Sequence, residues 1–424
     1  MAPNSKIVEE PVQYNGSEKL EYKTKIVWRN VLLFVYLHLS MLYGLYLIFT
    51  SANVKTALFG YIFGILGGLG VTAGAHRLWS HRSYKARWPL RVILCIFNTI
   101  AAQNDIYEWC RDHRVHHKFS ETDGDPHNIK RGFFFAHMGW LMCKKHPDVK
   151  TKGKIVKLDD LWADPIVRFQ KRFYIPLVLF FSFYLPTMIP VWCWGETVWN
   201  SFFVAVMARY CLGLNSTWLV NSAAHKYGDQ PFDKYIEARE NRVVSFFAIG
   251  EGWHNYHHVF PWDYSTSELG YAFNLTKVFI DGMALLGLAY DLKTAHPDSI
   301  RNRKLKSGDG SRLNHSSDFE DLKTFESSCD SAIMCVGRIF SSKRCILIQK
   351  LRRKPAGQRN PINESGKRRK LNSKHFFFTC CSLLSGMPFM WPSSHAHDRH
   401  LSTMTHYEYP YLQFQYPDSV HYWC

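Results

Sequence analysis

Apolar residues in this chain gather into four runs, Val31–Thr50, Ala57–Ala75, Ile175–Trp194 and Trp199–Val220, set apart by strongly polar stretches. Each run approaches the roughly 20 residues a helix needs to cross a bilayer. Only Ser51–Thr56 and Gly195–Val198 separate the members of each pair, so the runs predict two helical hairpins. The two short turns hold a single basic residue, Lys55, whereas Met1–Asn30, His76–Tyr174 and everything after Asn221 are rich in Lys and Arg. The positive-inside rule then places both termini and the long middle segment in the cytosol and the turns in the lumen. A further apolar stretch, Leu90–Ala102, is too brief to span and follows Pro89, which predicts an interfacial or re-entrant helix. The expected fold is an all-α membrane protein with four transmembrane helices in two hairpins and a cytosolic helical cap.

Mean hydropathy is only −0.21, because the charged segments offset the apolar runs. The polar residues 1–28 read as a cytosolic tail, and residues 29–311 as one folded domain with spans at 31–50, 57–75, 175–194 and 199–220. From residue 312 to 424 the apolar periodicity disappears, and disorder is expected. The formal charge of +17 points to an anionic partner, for which nucleic acid, an anionic leaflet and a phosphate-bearing substrate all qualify. The basic clusters Lys350–Lys354 and Lys367–Lys370 read as a solvated tail in a protein with four spans, so a nucleic-acid partner is not expected. The 11 cysteines form no CxxC pair, and Cys95, Cys110, Cys143, Cys193 and Cys211 read as reduced thiols. No secretory signal precedes the first span, so that span directs insertion, which favours a multi-pass protein of the endoplasmic reticulum membrane. The sequons at Asn15, Asn274, Asn314 and Asn363 would face the cytosol without glycan, and the one at Asn215 lies inside a span.

The chemistry is carried by histidines at the span exits. The second run ends with His76 and His81, five positions apart, a spacing that predicts unwinding or a bend between them. His113, His116 and His117 form one HxxHH cluster, and His254, His257 and His258 another. Positions i, i+3 and i+4 share a helical face, so each cluster is expected to offer three nitrogens to a single site. The fourth run exits through Asn221 and His225. Nine imidazoles exceed the needs of one metal, so a dimetal site is expected in the cap. The all-nitrogen set favours iron, copper, zinc or nickel over magnesium or calcium, and redox chemistry beside lipid narrows this to iron. Asp112, Glu108, Asp125, Glu251 and Asp263 are near enough in sequence to hold the outer ring nitrogens. His38, His127, His137, His146 and His296 read as packing or hydrogen-bonding residues.

These residues sit in longer motifs, GAHRLWSHRSYKAR, QNDIYEWCRDHRVHH, DPHN followed by RGFFFAH, WLVNSAAHKYGD and GEGWHNYHHVFPWDY. Over about Trp28 to Ser311 the sequence resembles the membrane-bound acyl-CoA desaturases of the stearoyl-CoA type, in an insect-like pattern. The resemblance implies a diiron centre held by His76, His81, His113, His116, His117, His225, His254, His257 and His258, with Asn221 reaching one iron through water. It implies coenzyme A contacts at Arg29, Asn30, Gln103, Asn104, Arg111, Asp112, Lys144 and Lys145. A bent acyl tunnel would be lined by Trp109, Thr217 and Trp218 and would end near Gly64 and Gly68, where two glycines would admit a long chain. The implied reaction is insertion of a cis double bond into a saturated long-chain acyl-CoA, with O2 as co-substrate and no side chain acting as acid, base or nucleophile. No HPGG haem motif and no GxGxxG fingerprint occurs, so electrons are expected from a separate cytochrome b5 and its reductase, with NADH as indirect donor.

Position Δ9 is the default, with Δ11 or another position open, because Glu237–Glu240 matches no regioselective class. A hydroxylase or acetylenase would use the same histidines. A histidine-rich metal transporter or a zinc hydrolase would instead need ligands inside the spans, or an open zinc with a catalytic carboxylate. The region after Ser311 has no recognised counterpart in that family, which fits a gene-model artefact as well as a genuine tail.

Overall fold

The computed structural model describes residues 23–312. Arg312, expected to open the disordered tail, pairs with Glu240 and Glu268 at 2.9 and 3.0 Å, whereas the rest of that tail, its basic clusters and the sequons at Asn15, Asn314 and Asn363 lie outside the described residues. The described chain is mostly helical. Its principal helices are α1 (Trp28–Thr50), α2 (Val54–Ser80), α3 (Trp88–Ala101), α4 (Ile106–Phe119), α5 (Tyr174–Trp194), α6 (Val198–His225), α7 (Arg242–Phe247), α8 (His254–Val259), α9 (Leu275–Leu285) and α10 (Pro297–Ser307). Among them α1, α2, α5 and α6 are long and apolar enough to cross a membrane. Helices α2 and α6 run to 27 and 28 residues. At 1.5 Å per residue each is about 40 Å long, well beyond the roughly 30 Å hydrocarbon core. The surplus carries His76 and His225 past the bilayer on the spanning helices themselves.

Sequence chemistry sets the hairpin turns. Asn53 accepts a hydrogen bond from the Lys55 amide to open α2, Gly195 at φ +69° ends α5, and Thr197 caps α6. The buried Glu196 carboxylate ties one turn to the other, accepting from the Asn53 amide and the Thr56 hydroxyl, both at 2.7 Å. Within the bundle, buried Arg209 of α6 donates to the carbonyls of Ile100 and Ser182 at 3.0 and 2.9 Å, joining α6 to α3 and α5. Helix α3 does not span. It lies against α2 so closely that a Cβ on Gly70 would sit 2.0 Å from the Asn98 amide nitrogen.

Two expectations need correction. The stretch from Gly70 to Ser80 does not unwind but widens into a π-helix, with the His81 amide bonded to the His76 carbonyl at 3.1 Å. Bonds from i to i+5 bring residues five apart onto one face, which is the spacing of His76 and His81. In addition, the fold takes up residues ahead of 29: the Val27 amide bonds Met142 O at 2.7 Å and the Lys144 amide bonds Lys25 O at 2.8 Å. A two-residue antiparallel pair, Lys85–Ala86 with Ala289–Tyr290, closes the cap. The five described cysteines are all free.

Gly70→Ala forces α2 and α3 apart and costs at least roughly 1–3 kcal/mol, whereas Gly213→Ala points its methyl into open space. Thermal unfolding in detergent, followed by size-exclusion of the fluorescent fusion, should show a clear drop in midpoint for the first variant and none for the second.

Candidate metal centre

Nine imidazoles from α2, α4, α6, α8 and the segment just after α2 converge in the cap in two groups. His76, His81, His113, His117 and His257 form one and His116, His225, His254 and His258 the other, with the ligand nitrogens in each within 4.8 Å of one another. The HxxHH clusters are therefore split between groups instead of each serving one site. Helical geometry explains the division. Positions i and i+4 differ by about 40° around the axis, but i+3 and i+4 differ by about 100°. His113 and His117 thus face one group while His116 faces the other, and in α8 His254 and His258 face away from His257. Helix α6 reaches its group by tightening into a 3₁₀ turn over Ala223–His225, while Asn221 lines the cavity beside His116 and His254.

The Nε2 atoms point inward. His76 and His257 approach to 2.9 Å, His257 and His117 to 2.9 Å, His81 and His113 to 2.7 Å, His225 and His254 to 3.0 Å, and His116 and His258 to 3.2 Å. A metal–nitrogen bond of roughly 2.1 Å sets neighbouring ligands at right angles roughly 3 Å apart, so the spacing fits one ion per group. Neutral imidazole is the form that binds metal. Burial first, and then the surrounding imidazoles, lowers His81, His113, His117, His254, His257 and His258 well below the ordinary histidine range.

Two of the five candidate carboxylates hold the outer face of a ring. Glu251 meets His76 Nδ1 at 2.8 Å, and Asp125 meets His116 Nδ1 at 3.0 Å. Burial alone would raise the Glu251 carboxyl, but Arg77 and His76 outweigh it and hold it at about 2. Asp125 is likewise kept far below the carboxylate range against burial, by His116 and His127. The other three lie elsewhere: Asp112 pairs with Arg111 and Lys145, Glu108 with Arg111 and Lys171, and Asp263 accepts from the Tyr256 hydroxyl.

Two further buried residues join the centre: Arg77, which was not singled out, and His127, which was read as a packing or hydrogen-bonding residue. Arg77 is fully buried and donates to Glu251 at 2.8 Å and to Tyr264 O at 2.8 Å. His127 stands with its ring 4.4 Å from that of His116 and Nδ1 3.5 Å from Asp125. Their signals were a charge directly after the second apolar run and the DPHN string. The other isolated histidines hydrogen-bond as read: His38 to Phe34 O, His137 to Ser222, and His146 and His296 as helix caps.

A cavity of about 810 Å³ runs between α2 and α6 and meets both groups, with His76, His113, His116 and His254 in its wall. Trp109, Gln103 and Thr217 line it, as do Gly64 and Gly68, and it continues past Gly60 to Ala57 and Leu45. Trp218 does not line it. Its ring packs towards α1, 5.5 Å from Phe34 and 5.7 Å from His137. Of the remaining anion-binding candidates, Asn30 bonds Leu141 O, and Lys145 and Arg111 share Asp112, which joins the start of α1, residues 141–145 and α4. Arg29 and Lys144 are exposed beside them, and Asn104 holds the turn between α3 and α4 at φ +72°.

The fatty acid desaturase family model matches residues 52–282. An acyl-CoA Delta12-desaturase of Acheta domesticus is 60% identical over 297 residues, 69% of this chain and 83% of the relative. An acyl-CoA Delta-9 desaturase of the same cricket is 60% identical over 68% of this chain and 81% of its own length. Stearoyl-CoA desaturase 2 of Mus musculus is 57% identical over 70% and 83%.

Removing two nitrogens from either group, as His113→Ala with His117→Ala or His225→Ala with His254→Ala, should lower bound metal from about two ions per chain to about one. Glu251→Gln should weaken metal retention by roughly 10–100-fold. Elemental analysis of purified protein after graded chelation reads both, and loss of both ions together in each double variant would contradict two separate groups.

Proposed function

The chain belongs to the fatty acid desaturase family, and from that premise we propose that it is a multi-pass membrane acyl-CoA desaturase that introduces a cis double bond into a saturated long-chain acyl-CoA. The observation that carries this reading is the apolar cavity whose wall includes imidazoles of both nitrogen groups. A saturated chain offers no acid, base or electrophile to work on. What it needs is a dry channel that fixes one methylene pair beside an oxidising centre.

Iron at the two groups, ligated by the nine imidazoles with Asn221 reaching one ion through water, would supply oxygen activation. Glu251 and Asp125 orient His76 and His116 from behind, and burial holds the ligand set in the neutral form. Trp109 and Thr217 wall the acyl chain where it passes the imidazoles, with the Trp109 indole stacked 4.9 Å from the His113 ring. The coenzyme A phosphates fall to Arg29, Asn30, Gln103, Asn104, Arg111, Asp112, Lys144 and Lys145, where Arg and Lys suit phosphate by charge and fork geometry. Overall the acyl chain gives up two hydrogens and O2 takes these with two external electrons and two protons, yielding the alkene and two waters. The electrons come from cytochrome b5 and its reductase, with NADH behind them. The protein resides in the endoplasmic reticulum with both termini cytosolic, as the Lys and Arg distribution implies.

Position Δ9 is the first choice. Δ12 is the second, favoured by a cricket relative of equal identity that bears that name. The far end of the cavity sets chain length, because Gly64 and Gly68 leave it open between Ile249 and the Arg209 stem.

Expression in yeast lacking its own desaturase should restore growth without added unsaturated fat, and double-bond mapping of the lipids gives the position. Accumulation of a hydroxy acid without alkene would overturn the reaction class. Gly64→Tyr should reduce the stearoyl-to-myristoyl product ratio by roughly tenfold or more, read from the same lipid profile, and an unchanged ratio removes the glycines from the tunnel end.

A further inference from the structure

The five-nitrogen group has two faces. His76 and His113 line the acyl cavity, whereas His81, of the same group, lines a separate open hollow on the outside of the cap with Ser80, Arg82, Arg114, Val156, Lys157, Pro261, Trp262 and Lys293. Four of those nine residues are cations and none is a carboxylate. The nearest acid, Asp160, is already shared by Arg82 and Arg114, each at 2.7 Å. Those pairs and the bonds from Arg114 to the carbonyls of Trp79 and Lys157, at 2.6 and 2.7 Å, fix the hollow's floor. Lys157 and Lys293 stand exposed on its rim, beside Trp262, which is 45% exposed.

We propose that this hollow is the electron-entry port of the centre, a docking surface for a small acidic one-electron carrier protein that delivers its electrons by way of His81. The inference rests on the proposed oxidase reading and adds the place where the reductant binds. The acyl chain fills one approach to the imidazoles, so a protein donor must use another. The hollow reaches a member of the five-nitrogen group, His81, that does not line the acyl cavity. The exposed lysines on its rim, with Lys293 held by the Arg82 carbonyl at 2.8 Å, match an acidic partner, and the Trp262 and Pro261 faces supply apolar contact inside the charged ring. Each docking passes one electron from the reduced carrier, which leaves oxidised. Two dockings supply the two electrons that, together with two protons and the two hydrogens given up by the acyl chain, account for the reduction of O2 to two waters.

The test uses full-length, metal-loaded protein in detergent and a soluble cytochrome b5 haem domain as the acidic carrier, with cytochrome c as a basic haem control. Wild type should bind the first and not the second, with affinity falling steeply as salt rises. Lys157→Glu with Lys293→Glu should weaken binding, and raise the KM for the carrier, by roughly tenfold and flatten the salt dependence, with metal content unchanged. Unchanged affinity and salt dependence in that variant would overturn the port. Wild type that binds the carrier at the hollow but forms no alkene would instead sink the desaturase reading and leave the port standing.

Discussion

Nine imidazole nitrogens pressed together within the cap, five of the rings buried and four half-buried, are the constraint around which the rest of this molecule is arranged. Each neutral ring brings one N–H, so a contact between two Nε2 atoms is satisfied only when one of them donates, and a cluster of five cannot satisfy all its members. Leaving buried polar atoms unpaired costs roughly 1–3 kcal/mol each, and charging the rings instead is opposed by burial, which pushes their pKa values down. A cation between the rings removes the conflict at once. This is why the outer nitrogens of His76 and His116 are given to Glu251 and Asp125: the carboxylates fix the tautomer that leaves the inner nitrogen free to bind.

The membrane part of the fold serves that convergence. Two helices longer than the bilayer needs lift His76 and His225 out of it, and the π-helical stretch of α2 turns His76 and His81 to one side. Holding these helices in register within lipid falls to polar staples, because apolar contact alone discriminates poorly there. Glu196 locks the turns, and Arg209 bridges carbonyls of α3 and α5 from inside α6. Gly70 then allows α3 to press backbone to backbone on the ligand-bearing stretch. A shift in any of these displaces an imidazole.

The spans, their pairing and the nine histidines were legible because they depend on local rules: run length, turn length and clustering of one residue type. The division of ligands was not, since an HxxHH string read on one helix presents a single face. Only the position of α4 and α8 between the two groups makes the difference between i+3 and i+4 decisive. The π-helix escaped for a related reason, as a five-residue spacing looks irregular until the helix itself changes pitch. Asp112, Glu108 and Asp263 were near the ligands along the chain, yet fold onto Lys145, Lys171 and Tyr256. Trp218, one position from Thr217, points about 100° away from it around α6, towards α1. Proximity in sequence predicted neither case, because a helix turns adjacent residues to different neighbours.

Two relatives from one cricket, equally similar to this chain, carry names that differ in the position of the double bond. Identity at that level therefore does not report position, and the imidazole framework is a poor place to seek the difference. The walls of the cavity are better suited. Gly64 faces the Arg209 stem, with a Cβ placed there 3.4 Å from Cγ, and that stem is pinned through its guanidinium to three carbonyls. Gly68 faces the terminal carbon of Ile249, 3.1 Å from where its Cβ would stand. The first wall is rigid and the second is the movable end of a flexible side chain. Bulk added at residue 64 must therefore shorten the channel, while bulk at residue 68 can be absorbed by displacing Ile249. Under the acyl-channel reading proposed above, two glycines four residues apart on the same helix therefore take different parts, one limiting chain length and the other adjusting the path past the imidazoles.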